Sequence, residues 1–122
     1  MWQGMDRRQF PRADYRCRVT VFKKGKKEEI STHTQNIGIG GLCVVLKKKL
    51  DKFHPVELLL HLEDKLPPIR CDGRVVWVVK SKSIYDTGIE FISLTKKDSL
   101  RIERIVKECL KKEETSSPDQ PA

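Results

Sequence analysis

The stretch Arg70-Cys71-Asp72-Gly73-Arg74-Val75-Val76-Trp77-Val78-Val79 reads as one long strand. Its second half is dominated by β-branched residues, which fit a pleated, half-buried surface. Gly73 inside it predicts a bulge or bend of the kind a curved sheet needs. Extended to residues 69–80, it is the fifth of six expected strands. Upstream, residues 17–22, 29–34, 41–46 and 56–62 supply four more, rich in Val, Ile, Leu and Thr. Downstream, residues 85–91 form the sixth, with Gly88 inside it. Turn signals separate them: Gly25 among lysines, the run Asn36-Ile37-Gly38-Ile39-Gly40-Gly41, and Pro67-Pro68. Short strands spaced by turns predict an all-β sandwich or a small barrel.

The period changes at the end of the chain. Ile102, Ile105, Val106, Cys109 and Leu110 recur at the spacing of one helix face. Thr95 and Asp98 fit a capping box at its start, and Lys107, Lys111 and Lys112 suit the helix dipole at its end. The predicted organisation is a flexible start (1–5), an arginine-rich arm (6–16), a barrel (17–94), a helix (95–112) and a disordered polar tail (113–122).

A chain of 122 residues makes one domain and buries roughly 65% of its unfolded surface. The net charge of +8 favours anionic partners: a nucleotide, nucleic acid, an acidic protein or an anionic membrane surface. Its distribution is uneven. Five of the nine arginines lie in the first twenty residues, which contain no lysine. Arginine suits planar bidentate contacts and lysine a solvated point charge, so the lysine runs read as surface and the arginine-rich start as a candidate site. Cys17, Cys43, Cys71 and Cys109 form no Cys-x-x-Cys pair, and no histidine stands at zinc spacing to them. They read as small apolar residues with free thiols. Without a signal peptide or a membrane-length apolar run, the expected compartment is the cytoplasm. No motif joins nucleophile, base and oxyanion donor, so no catalytic residue is expected. Trp77 reads as barrel core or helix packing. His33, His54 and His61 read as surface or strand residues.

Two features point to a ligand. Arg8 and Arg12 stand four apart, preceded by Arg7 and stiffened by Pro11. Arginine forks clamp phosphates or read the O6/N7 edge of guanine. Asn36, followed by Gly38, Gly40 and Gly41, offers a polar side chain on a backbone open to close approach.

These residues resemble the PilZ domain family, bacterial receptors for the second messenger cyclic di-GMP. Arg8 and Arg12 match the family's Arg-x-x-x-Arg motif, with Arg7 as the extra arginine. Asn36 and Gly41 match its Asp/Asn-x-Ser-x-x-Gly motif, in which Gly38 replaces the serine. Gly73-Arg74-Val75-Val76-Trp77 resembles its Gly-x-Val-x-Trp strand, and Gly88-Ile89-Glu90-Phe91 its Gly-Ile-x-Phe strand. The match runs from about Asp6 to Leu110. The resemblance implies an all-β fold with one helix: a six-stranded antiparallel barrel closed at one end by the C-terminal α-helix. It implies cyclic di-GMP on the outer wall, held by Arg7, Arg8, Arg12, Asn36, Gly38, Gly40 and Gly41, with no metal and no further cofactor. It implies a separate effector protein of motility, secretion or exopolysaccharide machinery. The alternative is a degenerate PilZ adaptor that binds no nucleotide and acts through protein contacts. A nucleic-acid-binding barrel is disfavoured, because no RNA-binding strand motif with paired aromatics is present.

Overall fold

The computed structural model describes residues 12–115, with side chains through Lys112. Seven strands precede one helix: β1 (Arg12–Asp14), β2 (Arg18–Lys23), β3 (Glu29–Gly38), β4 (Gly41–Leu46), β5 (Pro55–His61), β6 (Ile69–Ser81), β7 (Ile84–Ser93) and α1 (Lys96–Thr115). All six expected strands form, and β1 is an addition from the segment read as an arm. The expectations for residues 1–5 and 116–122 lie outside the described residues.

Six strands close a barrel in the order β3-β2-β5-β6-β7-β4, with β4 returning to β3. Every neighbour is antiparallel. Strand β1 lies outside this count. It pairs with the far end of β3, Arg12 opposite Gly38 and Asp14 opposite Asn36. Farther along the same edge, β2 pairs Arg18 with His33 and Phe22 with Glu29. So β1 continues the line of β2, interrupted at Tyr15–Cys17.

Buried Thr34 bridges that interruption. Its hydroxyl donates to the Tyr15 carbonyl at 2.6 Å and accepts from the Cys17 N–H at 2.9 Å. Its own N–H donates to the Cys17 carbonyl at 2.9 Å. The buried polar groups of the gap are thereby paired, as burial requires. This pairing also explains why β3 outruns its expected end. Asn36–Gly38 read as a turn, but β1 on one side and β4 on the other hold them as strand, leaving only Ile39 and Gly40 to bend.

Inward positions alternate along the strands. Val19 and Val21, Leu42 and Val44, Leu58 and Leu60, Val75 and Ile89 are all fully buried. Leu50, from the β4–β5 connection, joins this core from one end. From the other, α1 adds Ile102, Ile105 and Val106, with Cys109 and Leu110 partly buried. The helix begins as its sequence predicts, the Asp98 N–H donating to Thr95 Oγ1 at 3.1 Å. It ends at Thr115, three residues beyond the expected 112. Glu113 and Glu114 are good helix formers, and the first proline comes only at Pro118. Arg101 fastens the helix to the β5–β6 loop: Nε and Nη2 reach the two Asp64 oxygens at 3.1 and 3.0 Å. The guanidinium holds the Asp64 carboxyl below the usual carboxylate range.

Candidate functional site

Two β-bulges build a concavity on the outer wall. In β3, Thr34 pairs with Val44 and Asn36 with Cys43, so Gln35 is an extra residue. The bulge breaks the alternation and puts Gln35 and Asn36 on the outside together. In β6, Val75 pairs with Ile89 and Trp77 with Gly88, leaving Val76 extra. Val75 points inward, and an unbroken strand would send Trp77 after it. The bulge turns Trp77 outward instead. This corrects the reading of Trp77 as core or helix packing: it is half-buried and lies on the outer face.

The indole rests on Gly88, where a methyl would stand 2.1 Å from Trp77 Nε1. Only glycine leaves room for the ring there. Arg12, Gln35, Asn36, Cys43, Trp77, Val79 and Asp86 together line a concavity of about 300 Å³. A second, of about 480 Å³, adjoins it across Gln35 and Asn36 and is lined by Asp14, Tyr15, Arg16 and Thr34 as well.

The two sequence motifs meet here. Arg12 Nη1 donates to Asn36 Oδ1 at 3.3 Å, across 24 residues of chain. Gly38 stands opposite Arg12 in the ladder. Gly40 and Gly41 lie where β3, β4 and β7 converge. The Gly40 carbonyl accepts from the Phe91 N–H at 3.0 Å, and a methyl on Gly41 would meet the Ile89 carbonyl oxygen at 2.3 Å. Close approach of β7 thus accounts for glycine at 41. Arg7 and Arg8 lie outside the described residues.

Cys43 sits in the floor, its thiol pushed up to about 11 by burial and by the nearby Asp86 carboxylate, with Arg12 opposing the shift. The protonated S–H faces Gln35 Oε1 at 3.8 Å, so the thiol is a donor and no nucleophile. Asp86 is half-buried, and its carboxylate makes no hydrogen bond to the described residues. Across the concavity the groups offered are thus a guanidinium, two amides, an indole and a carboxylate: they can hold an anion and read a heterocycle's edge. No cluster of His, Cys, Asp and Glu among the described residues is placed to hold a metal. No described helix is long and apolar enough to cross a membrane. Sequence reasoning missed Gln35, Cys43, Trp77, Val79 and Asp86 as lining residues. Their only local signal was Gly88, whose missing side chain makes the seat for Trp77.

A family model for the PilZ domain matches residues 6–108. The chain belongs to the PilZ domain family. No curated protein sequence matches it. Solved structures share its fold at low identity. The Bacillus subtilis inhibitor of motility MotI is 21% identical with a TM-score of 0.74, over 91% of this chain and 53% of MotI. The complex of K. pneumonia MrkH with c-di-GMP is 20% identical with a TM-score of 0.71, over 91% of this chain and 56% of MrkH. The Escherichia coli YcgR PilZ domain with c-di-GMP is 11% identical with a TM-score of 0.70, over 90% of this chain and 97% of that domain. This PilZ domain therefore spans about half the length of MotI and MrkH. Its closed six-stranded barrel with one C-terminal helix is the architecture expected of the family.

Proposed function

We propose that this PilZ domain is a cyclic di-GMP receptor that binds its ligand over the Arg12–Asn36–Trp77 concavity and passes the signal to a separate protein. The observation that carries the reading is the Arg12–Asn36 contact, which joins two distant motifs beside an outward tryptophan. The structures of the YcgR PilZ domain and of MrkH with c-di-GMP support it.

Cyclic di-GMP presents two phosphates and two guanines, and the wall has a group for each kind. Arg12 clamps a phosphate or the O6/N7 edge of a guanine. Its bond to Asn36 is long, and it holds the side chain in place at little cost to exchange. Trp77 takes a base against its ring. Asp86 accepts from the guanine N1–H and N2–H groups, which adenine lacks. Arg8 is four residues from Arg12, so its Cα stays within about 14 Å however the chain runs. Arg7 and Arg8, outside the described residues, are the further ligand contacts that this reading assigns. The ligand does no chemistry here; it reorganises a surface that the partner reads.

Each bidentate arginine contact is worth about 1–3 kcal/mol. Arg12→Ala is expected to weaken binding roughly 5- to 150-fold. Calorimetric titration of cyclic di-GMP, with GTP as control ligand, tests this. Equal affinity in the Arg12→Ala variant would end the assignment. The adaptor reading rests on one observation, that Gly38 cannot supply the motif serine's hydroxyl. It predicts no saturable heat from the parent protein at all.

A further inference from the structure

The barrel's two ends differ in charge. At one end lie the β2–β3 hairpin, the β4–β5 connection and the β6–β7 hairpin. Register fixes this: Lys23 pairs with Val56, and Leu46 and Lys80 both pair with Tyr85. Lys48 Nζ on the second of these loops reaches Glu28 on the first at 2.7 Å. Residues 23–28, 47–54 and 80–83 contain ten of the sixteen lysines, no arginine, and only Glu28 and Asp51 as acids. Their net charge is +8, ten lysines less two acids, equal to that of all 122 residues. The rest of the chain is balanced. Lys26, Lys27, Lys47 and Lys49 make no ion pair with the described residues.

An aromatic ring stands in this field. Phe53 is 60% exposed, at a φ of 69° that a bulky residue rarely adopts. Hydrogen bonds on both sides fix it: its N–H to the Val75 carbonyl at 2.6 Å, and the Val75 N–H to the His54 carbonyl at 3.1 Å. The Lys52 ammonium lies 5.1 Å from the ring centroid. A fixed backbone on the β4–β5 connection thus presents an apolar ring with an ammonium beside it.

We propose that this pole docks on an anionic lipid bilayer, its lysines at the headgroups and Phe53 in the interface. Lysine without arginine suits a diffuse field of charge better than the bidentate reading of a nucleic acid. Three loops converge on an end, which suits a plane rather than a groove along a strand. Ring and ammonium together match the chemistry of the headgroup boundary.

The test is co-sedimentation of the full chain with phosphatidylcholine vesicles and with mixed phosphatidylglycerol–phosphatidylcholine vesicles. Binding is expected to the mixed vesicles only and to fall with salt. Four lysines at about 1 kcal/mol each near an anionic surface imply that replacing Lys26, Lys27, Lys47 and Lys49 by glutamine weakens partition by about a thousandfold. Phe53→Gly separates binding from folding. Glycine adopts the positive φ freely, so the melting temperature holds or rises while partition falls. No partition onto anionic vesicles overturns the proposal, as does partition that survives the lysine replacements. Tighter binding to a single-stranded RNA than to vesicles also overturns it and assigns the pole to nucleic acid.

Discussion

Replacing Gly88 by alanine asks whether the Trp77 ring sets the affinity of the concavity. The new methyl would lie 2.1 Å from Nε1, 2.2 Å from Cε2 and 2.7 Å from Cδ1 of the indole. Such atoms settle at about 3.5 Å, so the five-membered ring must withdraw by about 1.4 Å. The β6 bulge fixes the Trp77 backbone, so the ring retreats by rotating about its side-chain bonds. A gap of about 0.5–1 Å already forfeits a quarter to a half of a contact's energy. A base stacked on an aromatic ring is worth about 1–3 kcal/mol. Losing half of that costs about 0.5–1.5 kcal/mol, which is roughly 2- to 12-fold in Kd. Overpacking also costs the fold about 1–3 kcal/mol. Calorimetric titration of cyclic di-GMP reads the first quantity and urea unfolding the second. In a Trp2→Phe background Trp77 is the sole tryptophan, and its emission should shift to the red as the ring is wetted. A shifted emission with unchanged affinity would refute stacking. Unchanged emission would refute the seat of the ring on Gly88.

Three further outcomes follow from the same contacts. Asp86→Asn should lower cyclic di-GMP affinity about tenfold, a charged hydrogen bond being worth about 1.5 kcal/mol or more; cyclic di-AMP, lacking the N1–H and N2–H donors, should lose nothing, and calorimetry compares the two. Thr34→Val keeps the shape but strands the Cys17 N–H and the Tyr15 carbonyl; the expected cost is about 2–4 kcal/mol, read by urea unfolding, with a loss confined to a few tenths ruling out the bridge between β1 and β2. The Asp64 carboxyl, held low by Arg101, contributes stability that is complete above its unfolded pKa of about 3.9 and is lost as pH falls through the lower folded value. The urea midpoint of Asp64→Asn should therefore respond less to acid. At neutral pH the variant should be weaker by about 2–3 kcal/mol, because Arg101, 8% exposed, keeps a buried charge with only the Asp98 carboxylate, 3.8 Å away, to pair it.

The strands and the helix were legible because alternation and the i, i+3, i+4 period act locally. Residues 41–46 match β4 end for end, and the Thr95 cap stands where a threonine before Asp98 should put it. Asn36 and Arg12 were legible through the family's motifs. What escaped depends on partners distant in sequence. The run Asn36–Gly38 reads as a turn until β1 and β4 flank it. Trp77 reads as core because Val75 is core, and only the extra residue Val76 reverses that parity. A bulge is a mismatch between two strands, so β6 alone does not announce it. The lysine runs read as solvated surface one by one. Their sum appears only when three loops separated by 18 and 25 residues of chain meet at one end.

That uneven charge gives the molecule a large electric dipole along the barrel axis, positive pole at the lysine loops and the α1 end near balance. Torque from an anionic surface acts within about a Debye length, near 8 Å at physiological ionic strength. The domain therefore arrives turned, not at random, before any contact is made. In that attitude the Arg12–Trp77 concavity faces sideways, open to a small ligand diffusing past, and α1 points away from the surface, where another protein can reach it.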